Sequence, residues 1–276
     1  EYLTNRRQKP ALLEEARRQT LAQGGYFLAG KHDQYLRNIP YSSLVGAIES
    51  QVRQLLSEPD AVVAQWRATL LEVLDGGGPF LAAVAPLTAR LIGPQPVPQE
   101  TAGSEAQNRL YRAVTRFLQV FAGARRPLVL FLDDLQWVDT ATLHLLERML
   151  LDDGLHHLML AGAYRSNEVD AQHPLALLLE RLRSKDAAVA RLDLGSLTEI
   201  DVVQLVADTL RCAPDAAAPL ARLVAAKTDG NPFFIDKFLN HLHAENRLIF
   251  DMEKLCWKWD LDSIAAEAKM TDNVVE

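Results

Sequence analysis

The sequence is poor in cysteine, in long apolar runs and in positive charge, and each shortage removes a class of protein. Two cysteines, Cys212 and Cys256, in 276 residues do not make a disulfide framework. Neither has a partner at metal-ligand spacing, so both read as buried free thiols. No stretch of about 18 uncharged apolar residues occurs, so no membrane-spanning helix and no membrane partner are expected. The N-terminal EYLTNRRQKP has neither an initiator Met nor the apolar core of a signal peptide, and a cytoplasmic chain is expected. A formal net charge of −7 argues against a broad electrostatic footprint for nucleic acid. Direct nucleic-acid contact is therefore not expected, local pairs such as Arg125 and Arg126 notwithstanding. The closing TDNVVE looks like a cap and the first turn of a following helix, so both ends read as cuts from something longer.

With 49% apolar and 24% charged residues, the chain can bury a large core and hold more than one subdomain. Its most telling stretch is LVLFLDDLQWVD at 128–139. Five apolar residues, Leu128 to Leu132, suit a strand buried on both faces of a parallel sheet. Two adjacent carboxylates, Asp133 and Asp134, then fall at the C-terminal edge, where such sheets bind ligands. Charge placed there is costly without a partner, and Mg²⁺ carrying nucleotide phosphates would be one, since it takes one or two carboxylates and fills its other positions with water and phosphate oxygens. The plainer alternative is that both aspartates end a strand and cap the next helix. Asp139 is the better cap, because TATLHLLERMLL after it repeats apolar residues at helical spacing.

Elsewhere the pattern alternates helix and strand. Helices are expected at 11–22, 41–56, 60–74, 106–121, 140–151 and 174–182, with strands at Tyr26–Ala29, Leu158–Ala163 and Ala190–Leu194, the second of these buried. Such alternation implies right-handed crossovers and a parallel sheet. The run Gly76 to Gly78 is read as a turn, because no Lys-Ser or Lys-Thr follows it and the helical PFLAAVAPLTARLI has no strand before it. The Pro-rich 93–105 reads as a surface connector. His156 and His157 are adjacent in a strand, where side chains point to opposite faces, which disfavours a shared metal. From Thr198 onward the pattern is helical, with Thr198 capping and Asp201 in reach. LIFDMEKLCWKW then reads as a β-hairpin with Trp257 and Trp259 on one face, more often core or lid packing than a ligand-stacking box.

FLDDLQWVD, GAYRSNEVD and TDGNPFF together resemble the signal-transduction (STAND) branch of the AAA+-related P-loop ATPases. The similarity is closest to the ATPase region of large bacterial proteins that fuse a serine/threonine-kinase-like domain, an ATPase and a sensor histidine kinase. GYFLAGKHDQYLRNIPYSSLVGAI, HPLALLLERL and TDNVVE extend it over nearly the whole chain. The resemblance implies a P-loop NTPase-like parallel sheet flanked by helices over residues 1–196. Over 197–276 it implies a helical lid, a short hairpin and the start of a further helix. It also implies ATP and Mg²⁺ as cofactors, with the nucleotide between core and lid, and kinase or histidine kinase modules as partner domains. By the same resemblance LVLFLDD is a Walker B strand, Asp133 holds Mg²⁺, Asp134 orients the attacking water and Arg165 reads the γ-phosphate. Gly230, Asn231 and Pro232 match the family's Gly-x-Pro element near the adenine. Two plainer readings stay open: Arg165 paired with Glu168, and Gly230-Asn231-Pro232 as an ordinary helix start.

One part of the family pattern is absent. A phosphate loop, GxxxxGK[ST], cradles phosphates with backbone N–H groups, and no such motif occurs in these 276 residues. Aligning ALLEEARRQTLA with the family's first helix puts LTNRRQKP where the loop belongs. That leaves Lys9 in the lysine position and Pro10 where Ser or Thr belongs, and the family's first strand is missing too. Arg6 and Arg7 could attract phosphate as point charges, but without glycines the backbone cannot fold around it. An ATP-driven switch, a sensing or interaction scaffold without turnover, and the ATPase part of a transcription regulator therefore all stand as expectations.

Overall fold

The structure is a computed structural model that describes residues 8–35, 39–97, 103–252 and 256–268. It divides into two compact units, Glu15–Ala190 and a second made of Glu1–Glu14 with Arg191–Glu276. Helix α1 covers Gln8–Ala22. In the first unit, strand β1 (Tyr26–Lys31) is followed by α2 (Ser42–Leu56), α3 (Asp60–Leu74), α4 (Gly78–Val84), α5 (Thr88–Ile92) and α6 (Gly103–Gln119). Strand β2 (Leu128–Asp133), α7 (Thr140–Leu150), β3 (Leu158–Gly162) and α8 (Pro174–Ser184) complete it. The three strands form a parallel sheet ordered β1-β2-β3, flanked by helices as in a P-loop NTPase-like fold.

The central strand is apolar because both of its faces are covered. Leu128, Leu130 and Leu132 are fully buried against a core that takes Leu44, Ile48 and Val52 from α2 and Phe117 and Leu118 from α6. At one end of the sheet Trp66 stacks on Phe121 with centroids 5.4 Å apart, and Tyr26 meets Phe121 edge-on at 5.1 Å. Two glycines set how closely elements approach. A Cβ on Gly30 of β1 would lie 2.0 Å from the Ser43 carbonyl oxygen, and one on Gly162 of β3 would lie 2.4 Å from Leu135. The first lets the start of α2 sit against the end of β1.

Most expected elements are present with bounds shifted by a few residues, and three differences have physical causes. PFLAAVAPLTARLI splits into α4 and α5 at Pro86: the proline pushes the residue before it out of the helical region, and Ala85 sits at φ −122°, ψ 78°. Strand β3 is half-buried rather than buried, because it is the edge of the sheet, with Met159 63% exposed. The strand expected at Ala190–Leu194 does not form. Residues 187–198 have no regular structure, and Leu192 is 71% exposed. Its alternating pattern suits a strand, but a strand also needs a neighbour to pair with.

The second unit holds α9 (Glu199–Leu210), α10 (Pro214–Thr228), α11 (Pro232–Ala244), the antiparallel hairpin β4 (Leu248–Asp251) with β5 (Cys256–Trp259), and α12 (Leu261–Ala268). The capping box expected at Thr198 and Asp201 is complete: each side chain accepts the other residue's backbone N–H. Helices α9 and α10 pack through small and branched residues, with Val202, Val206, Ala217, Leu220, Ala221 and Val224 all fully buried. Trp257 and Trp259 both lie against this core. Among the described residues no helix is long and apolar enough to cross a membrane. Readings made on residues 1–7, on 98–102 of the connector and on TDNVVE lie outside the described residues.

Because Leu130 has no exposed surface and neighbours on both faces, Leu130→Ala is expected to cost about 2–5 kcal/mol through lost burial and the cavity left behind. Urea unfolding of the two proteins, followed by tryptophan fluorescence, would show this as a lowered midpoint. An unchanged midpoint would mean that β2 is not the buried centre of the sheet.

Candidate functional site

Strand β2 ends as its side chains turn polar, and the backbone changes with them. Asp133 is half-buried and its Oδ1 accepts the backbone N–H of Asp134 at 2.8 Å. Asp134 leaves the strand in the left-handed region at φ 53°, ψ 44°, a conformation Asp tolerates better than most residues. It is 6% exposed. Its Oδ1 accepts from Gln136 Nε2 at 3.1 Å, and its Oδ2 lies 3.4 Å from the ammonium of Lys31. Lys31 arrives there through register: it is the last residue of β1 and pairs with Asp133 across the parallel ladder. The buried charge is thus neutralised from the neighbouring strand.

Gln136 lies in the 3₁₀ turn Leu135–Trp137 and ties two strand ends together. Its amide nitrogen serves Asp134, its Oε1 accepts the backbone N–H of Arg165 at 3.2 Å, and its own carbonyl is hydrogen-bonded to His173 Nε2 at 3.1 Å. Arg165, just past β3, pairs with Glu168 at 2.7 Å and lies over the Trp137 ring at 5.3 Å. Here the plainer reading describes the geometry: the guanidinium is engaged by a carboxylate and an aromatic face.

Asp139 caps α7 as the sequence indicated, its Oδ1 accepting from Thr142 N at 2.8 Å. The same carboxylate reaches further, because its Oδ2 accepts the backbone N–H of Tyr41 at 3.3 Å. Tyr41 is held at φ 65°, a costly conformation for a bulky residue, and the Thr142 hydroxyl also accepts from its N–H at 3.1 Å. This clamp joins the start of α2 to the start of α7. Beside it His32 is buried, hydrogen-bonded through Nε2 to Ser43 Oγ at 2.8 Å. Burial holds its imidazole below the ordinary 6.5, while the nearby Asp139 and Asp134 carboxylates pull the other way.

The remaining sequence candidates lie apart from this cluster in the chain. Lys9 falls in the first turn of α1, and its side chain lies outside the described residues. Gly230 has φ +65°, and a Cβ there would sit 2.2 Å from the Leu197 carbonyl oxygen. The glycine is therefore required where these backbones meet, with Leu197 N donating to Gly230 O at 2.9 Å. Asn231 caps α11 by accepting from Phe233 N at 3.0 Å, and Pro232 takes the first helical position. These three form a well-made helix start within the second unit. Sequence reasoning missed Lys31, His32 and Gln136. The available signal was the position of Lys31 at the close of an apolar strand, with His32 next.

A family model described as the AAA ATPase domain matches residues 9–161. The chain is 25% identical, over 313 aligned positions, to hybrid signal transduction histidine kinase G of Dictyostelium discoideum. That alignment takes in 91% of this chain and 9% of the relative, so the chain spans less than a tenth of the curated protein it matches.

The buried imidazole has a consequence for stability. His32 takes up a proton near pH 6.5 in the unfolded chain but only at lower pH in the folded one. Stability is then intact above 6.5 and falls as pH drops through the folded value. Urea midpoints between about pH 7.5 and about pH 5.5 should decline in the unsubstituted protein and decline less in His32→Asn. Equal slopes would show that His32 is not protected from protonation.

Proposed function

The chain belongs to the AAA ATPase domain family, and from that premise we propose that it is an ATP-binding regulatory domain of a signal-transduction protein. In this reading Mg-ATP binds at the C-terminal end of β2. The observation that carries it is the pair Asp133–Asp134 at the end of the central parallel strand, one carboxylate half-exposed and the other buried and charge-compensated. Among the described residues no group of three or more His, Cys, Asp or Glu side chains could hold a metal alone. That donor set suits Mg²⁺, which needs one or two protein carboxylates and completes its shell with water and phosphate.

Asp133, the more exposed of the two, is assigned to hold the metal ion. Asp134 is assigned to orient the attacking water, for which a buried carboxylate fixed by Gln136 is well suited. Bound Mg²⁺ would supply charge neutralisation of the phosphates. Arg165 is assigned to the γ-phosphate, for which it must exchange Glu168 for the ligand. Lys9 is assigned to phosphate, and Gly230, Asn231 and Pro232 to the base, by family resemblance. The STAND branch, and a role as a switch for attached kinase modules, rest on that resemblance and on the relative's description as a signal transduction histidine kinase.

A second reading, nucleotide sensing without turnover, is favoured by one observation: the carboxylate assigned to the attacking water is already engaged by Lys31. Titration calorimetry with ATP, with and without Mg²⁺, followed by phosphate release, decides between them. Binding that Mg²⁺ strengthens, and that Asp133→Ala weakens by about tenfold or more, is expected. Release of phosphate would establish the switch, and binding without release the sensor. Affinity indifferent to both Mg²⁺ and Asp133→Ala would remove the site from the end of β2.

A further inference from the structure

We propose that Lys31 is a phosphate-binding residue of this site, held on Asp134 in the empty state and transferred to the nucleotide when it binds. The proposal rests on the nucleotide reading above and adds a residue that neither the family motifs nor the sequence patterns assign.

Three observations converge on it. The first is placement. Lys31 ends β1 in register with Asp133, so its stem starts beside the carboxylate assigned to the metal while its ammonium reaches Asp134. The second is asymmetry within the pair: the Asp134 side chain is 9% exposed and the Lys31 side chain 69%. The anion is buried and held by Gln136, whereas the cation is largely in water on a flexible stem. The third is the quality of the contact. At 3.4 Å it is longer than the roughly 2.7–2.9 Å of a strong charge-assisted hydrogen bond. Ion pairs with one partner in solvent contribute little and open readily.

Such a cation is available to a better anion. A nucleotide polyphosphate at the strand ends would present several charged oxygens within reach of the same stem, and Lys serves as a mobile point charge for phosphate. Arg165 is less available, being held by Glu168 and stacked on Trp137. Moving Lys31 to phosphate would also release Asp134 Oδ2, the oxygen it covers, to accept a hydrogen bond from water. Occupancy of the site and release of its water-orienting carboxylate then become one event.

The test separates metal from nucleotide. Lys31→Met keeps the aliphatic stem and removes the charge, and as a mostly exposed change it should leave the fold intact. In the full chain, Mn²⁺ alone, followed by electron paramagnetic resonance, should bind Lys31→Met about threefold more tightly, because no ammonium competes for the carboxylates. ATP with Mg²⁺ should bind it about tenfold more weakly, and Lys31→Arg should recover most of that loss. Opposite changes in the two affinities are the signature, which general damage to the site would not produce. Changes in the same direction, or no change in ATP affinity, would overturn the assignment of Lys31. Absence of ATP binding by the unsubstituted chain would overturn the nucleotide reading itself, and the proposal with it.

Discussion

A carboxylate removed from water at the end of a buried strand must be compensated, and the arrangement around β2 follows from that constraint. Leaving Asp134 with neither a hydrogen bond nor a counter-charge would cost several kcal/mol. Compensation comes from two directions, an amide two residues on and an ammonium from the neighbouring strand. The second depends on register. A slip of one residue between β1 and β2 would replace Lys31 with Gly30 or His32 and also reverse the faces of the strand. Charge and apolar packing therefore select the same alignment.

Packing carries most of the energy of that alignment, as the magnitudes show. Each fully buried leucine of β2 contributes on the order of 1.5–3 kcal/mol, whereas an ion pair with one exposed partner contributes about 0–1 kcal/mol. The tight approach at Gly30 belongs to the packing side, since it seats α2 and with it Ser43 against His32. The Asp139 carboxylate then spans α7 and the backbone of Tyr41, so the loops over the strand ends are held from below. Two residues in the left-handed region, Tyr41 and Asp134, sit in this network. Strain of this kind persists only where surrounding contacts over-determine it.

What the sequence revealed divides along local and non-local lines. The cap at Asp139, the capping box at Thr198 and Asp201, and the apolar strand at Leu128–Leu132 were legible because each depends on residues a few positions apart. The strand expected at Ala190–Leu194 had an equally good local pattern and did not form, because pairing is a property of the sheet. Lys31 and Gln136 were missed for the same reason: a lysine at the end of a strand matters only once its register partner is known. Pro86 lay between the two regimes, its effect on Ala85 being local but hidden inside a helical pattern. Gly230 and Asn231 are accounted for locally as a helix start, and their assignment to the nucleotide comes from family resemblance.

The acidic pair also bears on how a nucleotide could be accommodated. Two carboxylates beside a polyphosphate repel it unless cations intervene, and a divalent ion on Asp133 offsets only part of that charge. A phosphate loop would answer with backbone N–H groups and a lysine. In the sequence at hand, Arg165 is balanced by Glu168 at 2.7 Å, so borrowing it exposes another carboxylate. Lys31 is balanced by Asp134, the group assigned to the attacking water in the proposed reading. Drawing that lysine onto phosphate therefore improves the electrostatics of binding and readies the carboxylate in the same movement, which gives an exposed and individually weak ion pair a larger part in function than in stability.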